Sequence, residues 1–285
     1  MSHESSDEHA WYLYGVVGAD AEGLAEALPK ASVAPPEPVR LLTCEGLQAL
    51  VSLVPLTEFG TEQLPESLHD LEWLAAKVSA HEHVLEAVLP LGPVVPMRFC
   101  TIYHTATCVR EALAAHHDEF VQALAHLAGQ SEWGVKVYSD RAALAQGLGE
   151  VSDLVKQLRA DLLTKPAGAA YFVEKRLEHA IATEVERLAD ECAQSSHDLL
   201  ASHAAEAGLN PLQSPEIAGR PEPMILNGAY LVAETQLPAF RNQLATLQQQ
   251  YGPLGFSYDL TGPWPPYNFV SLGAEEEVPD DSVTG

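Results

Sequence analysis

Seven residues near the beginning of the chain, WYLYGVV (Trp11–Val17), combine aromatic and β-branched side chains and are followed by Gly18. Such a run predicts a buried strand. After a proline-rich loop, VRLLT (Val39–Thr43) and LQALVSLV (Leu47–Val54) predict two more strands, joined by a turn at residues 44–46. The chain therefore begins with a small sheet.

A helix is predicted next, because apolar residues recur at spacings of three and four along one face. Its start is marked by Ser67 and Asp70, which resemble a capping box, and its stripe consists of Leu71, Leu74, Val78, His81, Leu85 and Val88. The remaining elements of this half are a strand or strand pair at Val94–Tyr103, a helix at Thr107–Ala128 and a strand at Glu132–Tyr138. This order predicts an α+β fold, an antiparallel sheet with helices packed on one face.

The second half repeats this pattern weakly. A long helix is predicted over residues 171–207, followed by a central strand at Pro223–Glu234, a short helix, and a half-buried strand at Phe256–Leu260. We therefore predict two domains, residues 11–140 and residues 141–271. Residues 1–10 and the acidic tail, residues 272–285, are expected to be disordered.

The charge of the chain limits its partners. The sequence has a net charge of −25 and no basic stripe, so binding to nucleic acid or to an anionic membrane is not expected. The acidity fits either a solvated surface in a saline habitat or the need to keep an apolar partner in solution. With no signal peptide, no membrane-length apolar run and no paired cysteine motif, we expect a soluble cytoplasmic protein with reduced, mostly buried thiols.

Motifs for catalysis and metal binding are missing from the sequence. His81 and His83 are two residues apart and point to different sides of a helix, whereas a zinc helix needs a spacing of four. His81 falls on the apolar stripe and is predicted to be a buried, hydrogen-bonded core residue. His104 and Cys108 have the required spacing, but a turn is expected between them. We predict no catalytic residue, no metal and no cofactor.

Aromatic residues at strand ends are the other prominent feature. Most must belong to the core, but any that are exposed would suit an apolar partner, and the candidates are Trp11, Phe99, Tyr103 and Trp133. Arg98 stands in an apolar stretch. It is predicted either to form a structural ion pair, with Glu72, Glu119 or Glu132 as partner, or to reach a binding partner.

Several segments taken together resemble the gas vesicle protein F and L family (GvpF/GvpL). The resemblance runs from Trp11 to Val270, and its most specific parts are PMRF (Pro96–Phe99) and GPWPPY (Gly262–Tyr267). One departure is Cys100, where the family usually has glycine. Glycine enters left-handed backbone conformations more cheaply than cysteine, so either the turn is altered or this position does not need that conformation.

The resemblance implies two ferredoxin-like α+β domains and a non-enzymatic role in assembling gas vesicles, the gas-filled protein shells of prokaryotic cells. It also implies contact with the hydrophobic major shell protein of the GvpA type and with other accessory vesicle proteins. The protein would act transiently or remain as a minor structural component. The first domain is the expected binding surface.

Two further hypotheses concern single residues. Prolines stiffen the segment Leu260–Val270, so Trp264 and Tyr267 are predicted to act as a latch that docks across the domain junction. The competing class of function is a small-molecule enzyme on the same α+β scaffold. It would require His81, His104 and Arg98 to converge in one pocket.

Overall fold

A computed structural model of the chain describes residues 8–19, 23–30 and 32–270. The chain divides into two compact units, one formed by the described residues up to Gln130 together with residues 265–270, the other by Ser131–Trp264. The boundary thus falls after Gln130, whereas we predicted it after residue 140. The predicted disordered tail and residues 1–7 lie outside the described residues, while the first strand already begins at His9.

The first unit is a mixed sheet-and-helix structure. Its strands are β1 (His9–Gly18), β2 (Arg40–Cys44), β3 (Leu47–Pro55), β4 (Val94–Pro96) and β5 (Ile102–Tyr103). Its helices are α1 (Leu24–Ala27), α2 (Leu56–Phe59), α3 (Leu64–Ser67), α4 (Leu71–Val88), α5 (Ala106–Ala115) and α6 (His117–Leu127). The sheet order is β2-β3-β1-β4, with β5 also on β1, and these pairs are antiparallel. The helix predicted over Thr107–Ala128 is two helices, because His116 leaves helical geometry at φ −110° and ψ 21°.

Strand β1 is the centre of this sheet, and it contains a β-bulge. Leu13 pairs with Val51 and Gly15 pairs with Leu50, so Tyr14 is the extra residue. Gly15 faces α4, where an added Cβ would lie 2.9 Å from both the Leu85 side chain and the Val95 carbonyl oxygen. A larger residue would force this helix and strand apart.

Helices cover both faces of the first sheet, not one face as predicted. The α4 face holds a buried cluster that includes Tyr12, Tyr14 and Leu85. The buried residues of α5 and α6 are outside that cluster, although both helices also approach β1, and Trp11 and Leu13 on the other face of β1 are at most 4% exposed. The reason is that β1 is apolar on both sides, so both need a cover.

Only the second half of α4 packs on the sheet. Its buried residues are His81, Val84, Leu85 and Val88. Leu71 and Val78 belong to the predicted core stripe, yet they are 77% and 37% exposed. The helix is capped by Asp70, whose carboxylate accepts the backbone N–H groups of Glu72 and Trp73, while Ser67 belongs to α3.

The second unit contains the strands β6 (Gln130–Ser139), β7 (Glu206–Leu209), β8 (Met224–Ala233) and β9 (Phe256–Trp264). Its helices are α7 (Arg141–Val151), α8 (Asp153–Thr164), α9 (Ala167–Ala201), α10 (Pro215–Ala218) and α11 (Leu237–Tyr251). The sheet order is β7-β8-β6-β9, which confirms that the strand predicted around Tyr230 is central. One core cluster joins this sheet to α7, α8, α9 and α11.

Both units are therefore α+β, as predicted, while the ferredoxin-like detail stays a prediction. Within the ranges that the structure describes, no helix is long and apolar enough to cross a membrane.

Candidate functional site

The loop between β4 and β5 is a tight turn tied to the central strand. The Thr101 backbone N–H and hydroxyl both donate to the Arg98 carbonyl, at 3.2 and 2.7 Å. Cys100, the third residue of this turn, has φ +64°, which fits a type II turn, where glycine is favoured. Its own N–H donates to the Tyr12 hydroxyl at 3.0 Å. The position therefore does need the left-handed conformation, and a cysteine adopts it here.

A chain of hydrogen bonds continues from this turn to the C-terminal segment of the same unit. The Tyr12 hydroxyl lies 2.8 Å from Nδ1 of His81. The other ring nitrogen, Nε2, lies 2.9 Å from the Tyr267 hydroxyl, which donates to the Glu82 carboxylate at 2.9 Å. We call these four residues, with the Cys100 N–H, the His81 network. It joins β1, α4, the turn and residues 265–270.

The direction of every bond in the His81 network follows from proton counting. Tyr267 has one hydroxyl proton and gives it to Glu82, so it must accept from Nε2–H of His81. A neutral imidazole then offers Nδ1 as an acceptor, which takes the Tyr12 proton. Tyr12 in turn accepts from Cys100. With these directions, no two donors and no two acceptors face each other among the four side chains.

Burial keeps His81 in the neutral form that this arrangement needs. The residue is 1% exposed, and its burial lowers the pKa from near 6.5 to about 4. Burial also raises the pKa of Glu82 and of Tyr12. For Tyr267, burial and then the neighbouring Glu82 carboxylate raise the pKa well above its usual range, although 38% of the residue is exposed.

Three aromatic rings, those of Tyr12, Tyr14 and Phe99, pack against His81. The imidazole stacks on Tyr14 at a centroid distance of 5.5 Å and meets Phe99 edge-on at 6.0 Å. Phe99 also contacts Trp73 at 6.5 Å, and Trp73 contacts Phe59 at 5.3 Å. Contacts of this kind add to the gain from burial and fix ring orientation. Phe99 of the PMRF segment therefore helps to build the wall around His81.

A lysine closes the rim of this aromatic cluster. Lys77 Nζ lies over the rings of Phe59 and Trp73, at 5.4 and 5.6 Å from their centroids, and forms a 2.9 Å ion pair with Glu58. It also donates to the Val33 carbonyl at 2.7 Å. Burial works against the charged form of Glu58, but hydrogen bonds from Lys77 and Trp73 outweigh it and lower the pKa. The charge of Lys77 is thereby neutralised within the first unit.

Of the four aromatic residues proposed for partner binding, two are buried and two are half-buried. Trp11 and Trp133 are only 4% and 6% exposed, so both are core residues and neither offers a surface. Trp133 also belongs to the second unit, where Arg241 lies over its ring at 4.8 Å. Phe99 and Tyr103 are half-buried at the β4–β5 edge of the first sheet.

Arg98 does not form the predicted structural ion pair. The strand ends at Pro96, so Arg98 lies in the turn and is exposed, where water solvates its charge. Among the described residues no carboxylate is paired with it. The guanidinium is therefore accessible to a partner, which was the other predicted role.

Trp264 and Tyr267, the two predicted latch residues, lie in different units. Trp264 ends β9, opposite Glu132, and its Nε1–H donates to the Thr261 hydroxyl at 3.0 Å, with 39% of the residue exposed. Tyr267 belongs to the His81 network of the first unit. Each residue is thus anchored inside its own unit, and a latch between domains stays a prediction.

The residues required by the enzyme hypothesis do not form one group. His81 is a buried, hydrogen-bonded core residue, as predicted, and both of its nitrogens are occupied. Arg98 and His104 are exposed. In the described ranges of the chain, no three His, Cys, Asp or Glu side chains are grouped so that they could hold a metal ion.

The four cysteines form no disulfide with one another, and only Cys192 is fully buried. This agrees with the expectation of free thiols but not with the expectation that most of them are buried.

Sequence reasoning did not identify the partners of His81. Tyr12 and Tyr267 are separated from it by 69 and 186 residues, so no local pattern connects them. One signal in the sequence could have pointed to them: the two most family-specific segments contain Phe99 and Tyr267. The structure brings both to His81.

Comparison with known proteins identifies the family to which the chain belongs. The model of the family described as gas vesicle synthesis protein GvpL/GvpF matches residues 10–271. The chain is 33% identical to a gas vesicle protein L of Streptomyces sp. (strain CB03234), an alignment that covers 87% of this chain and 89% of that protein. It is 27% identical to gas vesicle protein F of the same strain, over 91% and 98% of the two chains.

A solved structure shares the fold. The crystal structure of gas vesicle protein GvpF from Anabaena sp. PCC7120 superposes with a TM-score of 0.66 at 19% identity, and the match covers 93% of this chain and 99% of that one. The family match spans both units and includes every member of the His81 network, and this protein belongs to the GvpL/GvpF family of gas vesicle synthesis proteins.

Proposed function

We propose that this protein is an accessory assembly factor of gas vesicles that binds the hydrophobic major shell protein of the GvpA type. The observation that carries the proposal is the family match over residues 10–271. A shell subunit that is strongly apolar on its gas-facing side would aggregate before assembly, so it needs a partner that covers this side. The protein would then be cytoplasmic and associated with the vesicle, and it would contribute to buoyancy only through the shell that it helps to build.

The proposed contact surface is the β4–β5 edge of the first unit. An edge strand presents unpaired backbone groups to an incoming extended segment, and half-buried aromatics beside it can cover apolar side chains. Phe99 and Tyr103 supply these aromatics, and the exposed Arg98 supplies a charge that selects orientation. The His81 network supports this surface from behind, because it fixes the turn that carries Arg98 and Phe99.

The test is co-expression with the major shell protein, followed by purification of the soluble complex. We expect the shell protein to remain soluble and to co-purify with the wild-type chain. The double variant Arg98→Glu/Tyr103→Ser should retain much less of it, while folding normally, since neither side chain is fully buried. Ile217→Ser, a change at a residue 73% exposed in the second unit, is the control and should retain the wild-type amount.

Two results would count against the proposal. If the shell protein precipitates whether or not this chain is present, direct binding is wrong. If the edge variant and the control retain equal amounts, the protein binds through another surface.

A separate measurement distinguishes a transient factor from a minor component of the finished shell. Purified vesicles are washed with urea and then probed for this protein. Loss in the wash indicates a transient or peripheral role, whereas retention indicates a structural component.

A further inference from the structure

The connection between α8 and α9 forms a positively charged, apolar tip in a strongly acidic protein. We define the hairpin tip as residues 163–176. In it Leu163 is 88% exposed, and Tyr171 and Phe172 are 58% and 70% exposed. The first residue of α9 that packs on the core cluster is Leu177, so these side chains have no core of their own to join. Exposed apolar groups of this size in one place indicate an interaction site.

The charge of the hairpin tip is opposite to that of the whole chain. Its charged residues are Lys165, Glu174, Lys175 and Arg176, a net charge of +2. The chain as a whole carries −25, which leaves −27 on all other residues. Lys175 pairs with Glu178 at 2.6 Å, but in the described parts of the protein neither Lys165 nor Arg176 has an ion-pair partner.

Helical spacing places a cation beside each aromatic ring of the tip. Of these two cations, Arg176 is unpaired among the described residues and Lys175 is paired with Glu178. Tyr171 and Lys175 are four residues apart, as are Phe172 and Arg176, so each pair lies on one face of α9. A partner surface that fits must therefore be apolar and acidic at the same time.

The first unit carries a surface with these properties. We define the α4 patch as five exposed residues. Leu71, Glu72 and Val78 belong to α4, and Glu66 and Leu68 lie just before it. Leu71 and Val78 are seven residues apart and thus lie two turns apart on one face. The neighbouring Lys77 is already paired with Glu58 and does not neutralise the carboxylates of the patch.

We infer that the hairpin tip of one molecule docks on the α4 patch of a second copy of this chain. Charge complementarity favours this partner over a second tip or a membrane. Two tips placed against each other would bring like charges together. An anionic membrane would repel the net charge of −27 on the other residues. The tip–patch contact instead joins opposite charges at its rim and removes apolar side chains of both partners from water.

The test is sedimentation velocity of the full chain over a concentration series at low and high salt. We expect concentration-dependent self-association that weakens with salt, because exposed charges are screened within about 10 Å at 0.1 M ionic strength. The tip variant Lys165→Glu/Arg176→Glu should weaken self-association by about tenfold or more. The patch variant Glu66→Lys/Glu72→Lys should do the same, and the four changes combined in one chain should restore it.

Controls keep the result specific. Lys30→Glu/Arg110→Glu changes the net charge as much as the tip variant does, at exposed sites outside both surfaces, and should associate like the wild type. Leu163→Ser/Phe172→Ser removes apolar area without changing charge and should also weaken association. Circular dichroism of each variant checks that it is folded.

Three outcomes overturn the inference. The first is that the wild type stays monomeric at every concentration. The second is that the chain with all four charge changes is folded but does not regain self-association. The third is that the monomer binds phosphatidylglycerol vesicles through the tip. The last result would assign the tip to a membrane surface. None of these measurements involves the shell protein, so their failure leaves the proposed function intact.

Discussion

Replacing Tyr267 with phenylalanine removes one hydroxyl from the His81 network and keeps the aromatic ring. The hydroxyl accepts from Nε2–H of His81, at 2.9 Å, and His81 is 1% exposed, so water cannot take the vacated place easily. A buried donor left without a partner costs about 1–3 kcal/mol. Glu82 also loses a donor, but it is only half-buried, so its carboxylate can be hydrated from its exposed side. We therefore expect Tyr267→Phe to destabilise the first unit by about 2 kcal/mol.

The measurement combines a thermal melt with hydrogen exchange of α4. For a unit of this size, a loss of about 2 kcal/mol lowers the melting temperature by roughly 5–10 °C. Backbone exchange should accelerate in α4 and in residues 265–270, where the broken contact lies, and should stay unchanged in α9. The control is Tyr171→Phe, because this tyrosine is 58% exposed; its stability change should stay within about 0.5 kcal/mol.

A double-mutant cycle makes the test sharper. His81→Phe removes the N–H that Tyr267→Phe leaves unpaired, so the tyrosine substitution should cost less in that background than in the wild type. If Tyr267→Phe changes stability by under about 0.5 kcal/mol and exchange in α4 is unaffected, the reasoning about the His81 network is refuted.

Three further predictions concern other parts of the structure. The pKa of His81 is lowered to about 4, so between pH 6.5 and pH 4 the unfolded chain binds a proton more readily than the folded chain. The stability contributed by neutral His81 is therefore present above pH 6.5 and is lost as the pH falls through this window. The loss amounts to up to roughly 3 kcal/mol. Glu82, with its raised pKa, acts in the opposite sense, so the comparison is with His81→Gln, which keeps a donor and an acceptor and should show a flatter stability profile from pH 7 to 4; equal profiles would contradict the assignment. Cys100→Gly should stabilise the first unit by about 1 kcal/mol in chemical denaturation, since glycine adopts φ +64° without the Cβ penalty, and a destabilised variant would show that the thiol contributes more by packing than it costs in backbone strain. Trp264→Ala should destabilise the second unit by about 1–2 kcal/mol, less than a fully buried tryptophan, because 39% of the residue is exposed; a loss above about 4 kcal/mol would mean that it supports more than its own contacts.

The sequence predicted the helices and strands of this fold better than it predicted their burial and their pairing. Apolar periodicity located α4 and marked His81, Leu85 and Val88 as buried, because those residues touch the sheet. The same periodicity included Leu71 and Val78, which are exposed, because a helical stripe does not reveal where the supporting sheet ends. Sheet pairing could not be read from local pattern either, and for that reason the strand predicted at Glu132–Tyr138 was placed in the first domain, whereas it pairs in the second sheet.

The candidate site shows the same division. A histidine on an apolar stripe was enough to predict a buried, hydrogen-bonded His81. Its partners come from opposite ends of the chain, and nothing short of the folded structure brings Tyr12 and Tyr267 to the two sides of one imidazole ring. For Arg98 the apolar neighbours suggested burial, but the strand stops at Pro96 and the following turn carries the side chain outward.

The bulge at Tyr14 shifts the alternation of side chains between the two faces of β1 by one residue. Up to Leu13, even-numbered residues face α4; from Gly15 onwards, odd-numbered residues do. A relative that lost one residue at this point would keep Tyr12 opposite His81 only by turning Val17 away from the cluster, or keep Val17 only by losing the hydroxyl at His81. Insertions and deletions in the family should therefore avoid this strand and collect in the loops, and length differences among relatives near Tyr14 should mark chains that have rebuilt the network with other residues.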